Sequence, residues 1–187
     1  MNYLDKLKQK CIECKNCPLC ETKTNTVFSD GNESAKILLI GEAPGENEDL
    51  QGKPFVGMAG KIMNKYLELA GISRENDLYI TNIVKCRPPQ NRKPKTSEKK
   101  SCFDFLAEQI EYINPKIIVL CGGTALETFV KGQKISDVHG NIIDISVNDN
   151  IYKAVPIYHP SPLCRVPNKQ EICVEDFRKI KEFCCKS

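Results

Sequence analysis

The 187-residue sequence has no tryptophan, only two histidines and no long hydrophobic run. Its longest apolar stretches, residues 37–40 and 117–121, are far shorter than the ~20 residues that a transmembrane helix needs. The first ten residues are polar and helix-like, so they lack the basic and apolar segments of a secretory signal. We therefore expect a cytoplasmic protein with no membrane partner.

The composition also argues against several classes of protein. A content of 41% hydrophobic and 27% charged residues is ordinary for a globular protein and does not suit a disordered chain, a collagen-like fibre or a coiled coil. Neither histidine begins an H-x-E or H-E-x-x-H motif, which disfavours zinc deaminases and zinc proteases. The length fits one domain that covers residues 1–187.

Cysteine is the residue in excess, with 11 in the chain. In a reducing compartment, clustered cysteines more often bind a metal or an iron–sulfur cluster than form disulfides. Four of them follow a C-x2-C-x2-C-x2-C pattern that resembles a ferredoxin-type run, and four thiolates can also hold zinc. The spacing leaves open whether all four are ligands or only two of them, joined by two from elsewhere. These four are Cys11, Cys14, Cys17 and Cys20.

Basic residues are concentrated in one segment. Residues 85–100 hold seven lysines and arginines and one acid, Glu98, so the segment carries +6 in a chain of net charge +3. Its three prolines prevent it from forming a single helix. A proline-stiffened basic loop can contact a phosphate backbone, although a solvated loop without a partner fits the charge equally well.

Strand and helix patterns alternate along the chain. This order predicts an α/β fold, with a mainly parallel sheet and helices on both faces. Apolar runs at residues 36–41, 78–84 and 116–121 predict buried strands, and two further strands are predicted at residues 141–147 and 152–158. The main predicted helices cover residues 2–10, 59–70, 96–113 and 171–183. In the first of them, Tyr3, Leu4 and Leu7 are expected to face inward.

Candidate functional residues follow the predicted strands, at the sheet edge where such folds bind ligands. The loop at residues 41–57 is rich in glycine, which suits close approach of the backbone to a ligand, and it matches no P-loop. Phe55 in this loop is either a stacking platform or a core residue. His159 ends the last strand, on the same predicted edge as Glu42 and Asn82.

Three sequence blocks together resemble the signatures of the iron–sulfur uracil-DNA glycosylases, usually called family four. They are residues 41–60, 81–89 and 159–165, in the order that the family has them, and the resemblance covers nearly the whole chain. It implies a three-layer α/β/α sandwich, excision of uracil from single- or double-stranded DNA, and a [4Fe–4S] cluster. The implied cluster ligands are Cys14, Cys17, Cys86 and Cys102.

The resemblance also implies a role for each residue of the site. Uracil must leave the base stack, and Phe55 would stack on it while the Asn82 amide would bind its O4 and N3–H. Glu48 would exclude the methyl group of thymine. His159 would stabilise the departing uracil anion, and Glu42 would orient the attacking water. The implied substrate-binding residues are Gly41, Glu48, Phe55 and Asn82.

The implied DNA contacts lie in the basic loop and in the turn after His159. In that turn Ser161 would contact phosphate, and Leu163 and Arg165 would enter the gap left by the flipped base. Cys164 stands where the family usually has a bulky apolar residue. The implied contacts from the basic loop are Arg92 and Lys93.

A related group of glycosylases traps uracil-DNA covalently through a histidine inserted in the basic loop. Residues 87–100 contain no histidine, so we expect an enzyme that turns over. The alternative is a non-enzymatic iron–sulfur or zinc protein that binds nucleic acid through the same loop. The small size of the chain favours a monomer.

Overall fold

A computed structural model of the chain describes residues 2–163 and 167–186, and the side chains of residues 162–167 lie outside that description. Within these residues one sheet contains six strands. The strands are β1 (Asp30–Gly31), β2 (Ile37–Gly41), β3 (Leu78–Asn82), β4 (Ile117–Cys121), β5 (Ile143–Val147) and β6 (Asn150–Ile157). Their order across the sheet is β1-β3-β2-β4-β6-β5.

The four central strands β3, β2, β4 and β6 are parallel, and the edge strands β1 and β5 are antiparallel to their neighbours. Gly41 pairs with Asn82, and Cys121 pairs with Ile157, so the carboxyl ends of the parallel strands meet along one edge. The mainly parallel sheet predicted from the alternating pattern is therefore confirmed.

Helices cover both faces of the sheet because successive side chains of the apolar strands point to opposite faces. One face packs against α1 (Tyr3–Glu13), α6 (Thr96–Ile113) and α7 (Gly123–Phe129). The other packs against α4 (Met58–Leu69) and α10 (Pro167–Cys185). The result is the predicted α/β/α arrangement. The shorter helices are α2 (Leu19–Thr22), α3 (Glu46–Gln51), α5 (Arg74–Asp77), α8 (Ile135–Val138) and α9 (Pro160–Leu163).

Two local predictions were wrong. Tyr3 was expected to face inward with Leu4 and Leu7, but its ring is 48% exposed and stacks on Tyr112. The loop after β2 was expected to lack regular structure, yet it contains α3. Acidic residues in the first turn favour this short helix because they complement its dipole.

No helix in the described ranges combines the length and the apolar character that crossing a membrane requires.

Candidate active site and cysteine cluster

A cavity of about 670 Å³ opens at the carboxyl ends of the parallel strands. Its wall includes the residues that follow β2, β3, β4 and β6, because the register of the sheet brings these four ends together. Most of the side chains that the sequence singled out lie along this wall. They are Glu42, Glu48, Phe55, Asn82, Arg92, Lys93, His159 and Ser161.

Gly41, the last residue of β2, lies behind two of these side chains. A Cβ atom at this position would lie 2.4 Å from Oδ1 of Asn82 and 2.6 Å from the ring of Phe55. Glycine is therefore what allows the amide and the ring to lie against the strand end. Asn82 is only 2% exposed, and its side-chain amide makes no hydrogen bond within the described part of the chain.

Phe55 is a core residue that also borders the cavity, so its stacking role stays a prediction. Its ring packs in the core between the sheet and α4, and it also forms part of the cavity wall. The backbone at Phe55 has φ +51, in the left-handed region that a non-glycine residue enters at a cost of about 1 kcal/mol or more. The ring lies 6.5 Å from the imidazole of His159, centroid to centroid.

One ring nitrogen of His159 accepts a backbone hydrogen bond, which fixes the position of the hydrogen in the neutral ring. The backbone N–H of Ser161 donates to Nδ1 of His159 at 3.2 Å, so Nε2 bears the hydrogen in the neutral ring. Burial lowers the pKa of His159, and the nearby carboxylate of Glu42 opposes this shift only in part. Gly122, with φ +92, permits close packing, since a Cβ there would lie 3.2 Å from that of His159. The site therefore holds a neutral imidazole that can donate one hydrogen bond.

Two acids of α3 bind backbone N–H groups. Glu48 accepts hydrogen bonds from Val56 at 2.9 Å and from Gly57 at 2.7 Å. Asp49 is buried and accepts from the backbone of Thr24 at 2.9 Å. Glu48 thus lines the cavity and also fixes the turn between Phe55 and α4.

Arg92 and Lys93 differ in their surroundings, although both line the cavity. The Arg92 guanidinium binds both carboxylate oxygens of Glu98, at 2.9 and 2.6 Å. This hydrogen bonding raises the pKa of Arg92 and lowers that of Glu98, so both stay charged. Lys93 is exposed, and its ammonium has no hydrogen-bond or ion-pair partner among residues 2–163 and 167–186.

The cysteines that the resemblance named as ligands form one neighbourhood of half-buried free thiols. Burial raises the pKa of Cys86 to about 12; the positive charge of Lys23 opposes this shift, and three neighbouring cysteine sulfurs add to it. A backbone N–H from Asn16 lies 3.5 Å from the Cys14 sulfur, and another, from Lys85, donates to Cys102. The three neighbours of Cys86 are Cys14, Cys17 and Cys102.

Cys11 and Cys20, the other two cysteines of the N-terminal run, differ in their surroundings. Cys11 is 2% exposed in the core on α1, and burial raises its pKa to about 12. Cys20 lines the same surface depression as Cys14 and Cys17. In the ranges that the structure describes, no three His, Cys, Asp or Glu side chains are grouped as ligands of a single metal ion.

The sequence profile of the uracil DNA glycosylase superfamily matches residues 28–182. A type-4 uracil-DNA glycosylase from Thermotoga maritima is 45% identical over 181 residues, which cover 95% of this chain and 92% of the relative. Another, from Archaeoglobus fulgidus, is 41% identical over 191 residues, covering 100% and 96%. The chain belongs to the uracil-DNA glycosylase superfamily. The family resemblance inferred from the three sequence blocks is confirmed.

A type-5 member of the uracil-DNA glycosylase superfamily is less similar to this chain than these two type-4 relatives. A type-5 uracil-DNA glycosylase from Pyrobaculum aerophilum is 29% identical over 194 residues, covering 86% of this chain and 84% of the relative. The higher identity to the type-4 proteins agrees with the family-four resemblance.

Sequence reasoning missed Lys85, a residue at the centre of this glycosylase. It was counted with the basic loop, but it is fully buried and donates to Thr81 Oγ1 at 2.5 Å and to the carbonyl of Asn82 at 2.7 Å. Burial lowers the pKa of Lys85 to about 8. The signal available in the sequence was its position directly after the apolar pair Ile83 and Val84. The exposed part of the basic segment begins after it.

The turn after His159 is described only in part. Ser161 lies at the cavity wall, and Leu163 ends α9. The side chain of Leu163 and the whole of Arg165 lie outside the described residues. Their implied contacts with DNA in this glycosylase therefore stay predictions.

Proposed function

We propose that this chain flips uracil out of DNA, hydrolyses its N-glycosidic bond and leaves an abasic site. The observation that carries the proposal is the meeting of a carboxylate, an amide, an aromatic ring and an imidazole around one cavity. A protein that only binds nucleic acid would need a basic surface but not this set. The names of the type-4 relatives support the same activity. We expect a single domain, acting as a monomer.

Base recognition would depend on Phe55 and Asn82. A flipped base is held by stacking and by hydrogen bonds to its Watson–Crick edge. The carboxamide of Asn82 can accept from N3–H of uracil and donate to its O4, whereas cytosine presents the reverse pattern. Glu48 stands beside this site and would limit the space for the thymine methyl. Gly41 supports the arrangement from behind.

Bond cleavage develops positive charge on the sugar and negative charge on the uracil ring, as in other oxocarbenium-like displacements. The Nε2–H of His159 would donate to uracil O2 and stabilise the departing anion. Glu42 would orient the water that attacks the sugar and would offset the sugar's positive charge. Because His159 is neutral, it stabilises the anion by hydrogen bonding without transferring its proton first.

The activity is tested by mixing the purified protein with a labelled oligonucleotide that contains one uracil and then treating the product with alkali. We expect strand breakage at the uracil. The amount of product should exceed that of the enzyme, because residues 87–100 contain no histidine that could trap the DNA covalently. Intact strands after this treatment would refute the proposal and leave the non-enzymatic binding protein. The control is the same oligonucleotide with thymine.

The pH dependence of excision follows from the lowered pKa of His159. Since burial keeps the ring neutral at and above the ordinary histidine value near 6.5, we expect a flat single-turnover rate from about pH 6.5 to 8. The His159 contribution is lost only at lower pH, where the ring gains a proton and its hydrogen bond from Ser161 breaks. A rate that falls across pH 6.5–8 in the native protein, but not in His159→Gln, would show that the protonated ring is required.

DNA affinity should depend on Lys93 more than on Arg92, because Lys93 is exposed whereas Arg92 is paired with Glu98. Lys93→Gln is expected to weaken binding to all DNA sequences alike and to reduce the salt dependence of binding by about one phosphate contact. The matched control is Lys153→Gln, because Lys153 is also exposed but pairs with Asp144 on the β5–β6 hairpin. Equal salt slopes for the two variants would exclude Lys93 from the DNA surface. Fluorescence anisotropy at several salt concentrations measures the slopes.

We further propose that the cysteine neighbourhood around Cys86 holds a [4Fe–4S] cluster. The donor set fits: half-buried thiols lie near one another, and at least two of them accept a backbone N–H, a recurrent feature of iron–sulfur sites. A mononuclear zinc site would need all four sulfurs about 3.8 Å apart, whereas each thiolate of a four-iron cluster binds a different iron. The cluster would supply a cross-link between the N-terminal cysteines and the basic segment. The proposed ligands are Cys14, Cys17, Cys86 and Cys102.

Iron content tests this ligand set directly. Protein purified without air is expected to contain about four irons per chain and to absorb visible light. Cys102→Ser should lose most of the iron, while Cys20→Ser and the control Cys185→Ser, an exposed thiol outside the site, should retain it. Zinc in a colourless preparation would contradict the cluster. Loss of iron from Cys20→Ser would place Cys20 among the ligands.

A further inference from the structure

We infer that Arg74 is a positioning residue for the base-stacking ring, and that it acts by holding the backbone of Phe55. The Nη1 of Arg74 donates to the carbonyl of Phe55 at 2.7 Å, and its Nη2 donates to that of Pro54 at 2.6 Å. One guanidinium therefore binds two successive peptide carbonyls at the platform. The inference rests on the proposed stacking of uracil on Phe55.

Arg74 is itself held by two further acceptors. Its Nη1 also donates to Asn64 Oδ1 at 2.9 Å on α4, and its Nη2 forms an ion pair with Asp30 at 3.2 Å on β1. The side chain is 17% exposed, so water competes little for these bonds. A planar guanidinium can serve four acceptors in fixed directions, which the ammonium of lysine cannot do.

Phe55 needs such support because its backbone is in the left-handed region, with φ +51. On the carbonyl side, Arg74 binds the oxygen, and α4 packs against it at Gly60, where a Cβ would lie 2.0 Å from that oxygen. On the other side, Glu48 accepts the next two N–H groups along the chain. The peptide that follows Phe55 is thus bound at both ends, and the ring is kept on the cavity wall.

The position of Arg74 also links the two proposed base contacts. It begins α5, and α5 leads directly into β3, the strand that ends at Asn82. The same stretch of chain therefore carries both the Asn82 amide, which would bind the edge of uracil, and the Arg74 guanidinium, which holds the Phe55 ring that would stack on uracil. Neither Arg74 nor Asn64 lines the cavity, so any effect of Arg74 on uracil is indirect, and its bonds to the carbonyls of Pro54 and Phe55 favour the route through Phe55.

A double-mutant cycle between Arg74→Gln and Phe55→Ala tests the inference. The readouts are single-turnover excision, affinity for an oligonucleotide with a non-hydrolysable 2′-fluoro-deoxyuridine, and the midpoint of thermal unfolding. We expect Arg74→Gln to weaken uracil-DNA binding about tenfold in the native background and less than about twofold when Phe55 is already alanine. Affinity for uracil-free DNA should stay unchanged. The control is Arg178→Gln, an exposed arginine paired with Glu175 on α10.

Equal losses in the two backgrounds would overturn the inference, because Arg74 would then act through general stability. If Arg74→Gln does not fold, Arg74→Lys enters the same cycle with the same criterion, since it keeps the charge and loses the forked geometry. Failure of the inference is distinguishable from failure of the proposed function. The native protein remains active on uracil-DNA in the first case and is inactive in the second.

Discussion

Replacement of His159 by alanine is expected to lower the single-turnover rate of uracil excision by about 10²–10³-fold, the usual cost of removing one preorganised donor to a developing anion. The donor is well defined, because the Ser161 N–H occupies Nδ1 and leaves the hydrogen on Nε2. Affinity for uracil-free DNA should change little. Rapid-quench assays with enzyme in excess measure the rate.

The matched control for His159→Ala is His139→Gln, which changes the only other histidine of the chain. His139 bonds to Asp176 at 2.9 Å, and its ring lies 4.7 Å from that of Tyr158, so it borders the same turn without lining the cavity. We expect this variant to lower the thermal midpoint more than the rate. Similar losses of rate in both variants would mean that His159 supports the turn and makes no bond to uracil.

Gly41→Ala is expected to cause the second largest loss of uracil excision, even though alanine adds only a single methyl group. The new Cβ would lie 2.4 Å from Oδ1 of Asn82 and 2.6 Å from the ring of Phe55, so both proposed uracil contacts must move. A displacement of about 1 Å at a reacting geometry costs roughly 10²-fold in rate. The loss should appear in excision of uracil, with binding of uracil-free DNA retained.

The control for this prediction is Gly123→Ala, also on the cavity wall, where the added Cβ would meet no atom of the described residues within 4 Å beyond its own helix backbone and its chain neighbours. This variant makes the same glycine-to-alanine change near the end of β4, whereas Gly41 lies at the end of β2. We expect Gly123→Ala to keep most of the activity. An active Gly41→Ala would show that Asn82 and Phe55 tolerate the shift and that the strand end needs no glycine.

The cysteine neighbourhood and the cavity are joined by buried polar residues. Lys85 donates to the carbonyl of Asn82, and its backbone N–H donates to the sulfur of Cys102. Asp49, on the helix that also carries Glu48, binds the backbone of Thr24, shortly after the N-terminal cysteines. A disturbance of the thiols can therefore reach the strand that ends at Asn82 through direct contacts. These contacts would give the proposed cluster a structural role in an enzyme whose proposed chemistry does not use it.

The sequence alone predicted the sheet and the edge that carries the site. Continuous apolar runs favour buried parallel strands, and polar residues placed directly after them must gather at the carboxyl edge. Glu42, Asn82 and His159 were found in this way. The span of α6, Thr96–Ile113, was also predicted correctly, with Pro115 beyond its end, although Lys95 is the N-cap where Thr96 or Ser97 was expected. These features are local, so a short window of residues is sufficient to define them.

Only the tertiary structure decided which charged residues belong to the interior. Lys85, Arg74 and Asp49 resemble surface residues in the sequence, yet each is held by hydrogen bonds within the fold. Arg92, predicted to contact DNA, is engaged by the buried carboxylate of Glu98. The hydrogen-bond partners of these side chains are fixed only after packing. Partners that are far apart in the sequence come together only when separate segments of the chain meet. Hydrophobic patterning reports burial of apolar faces but contains no information about which buried charge finds a partner.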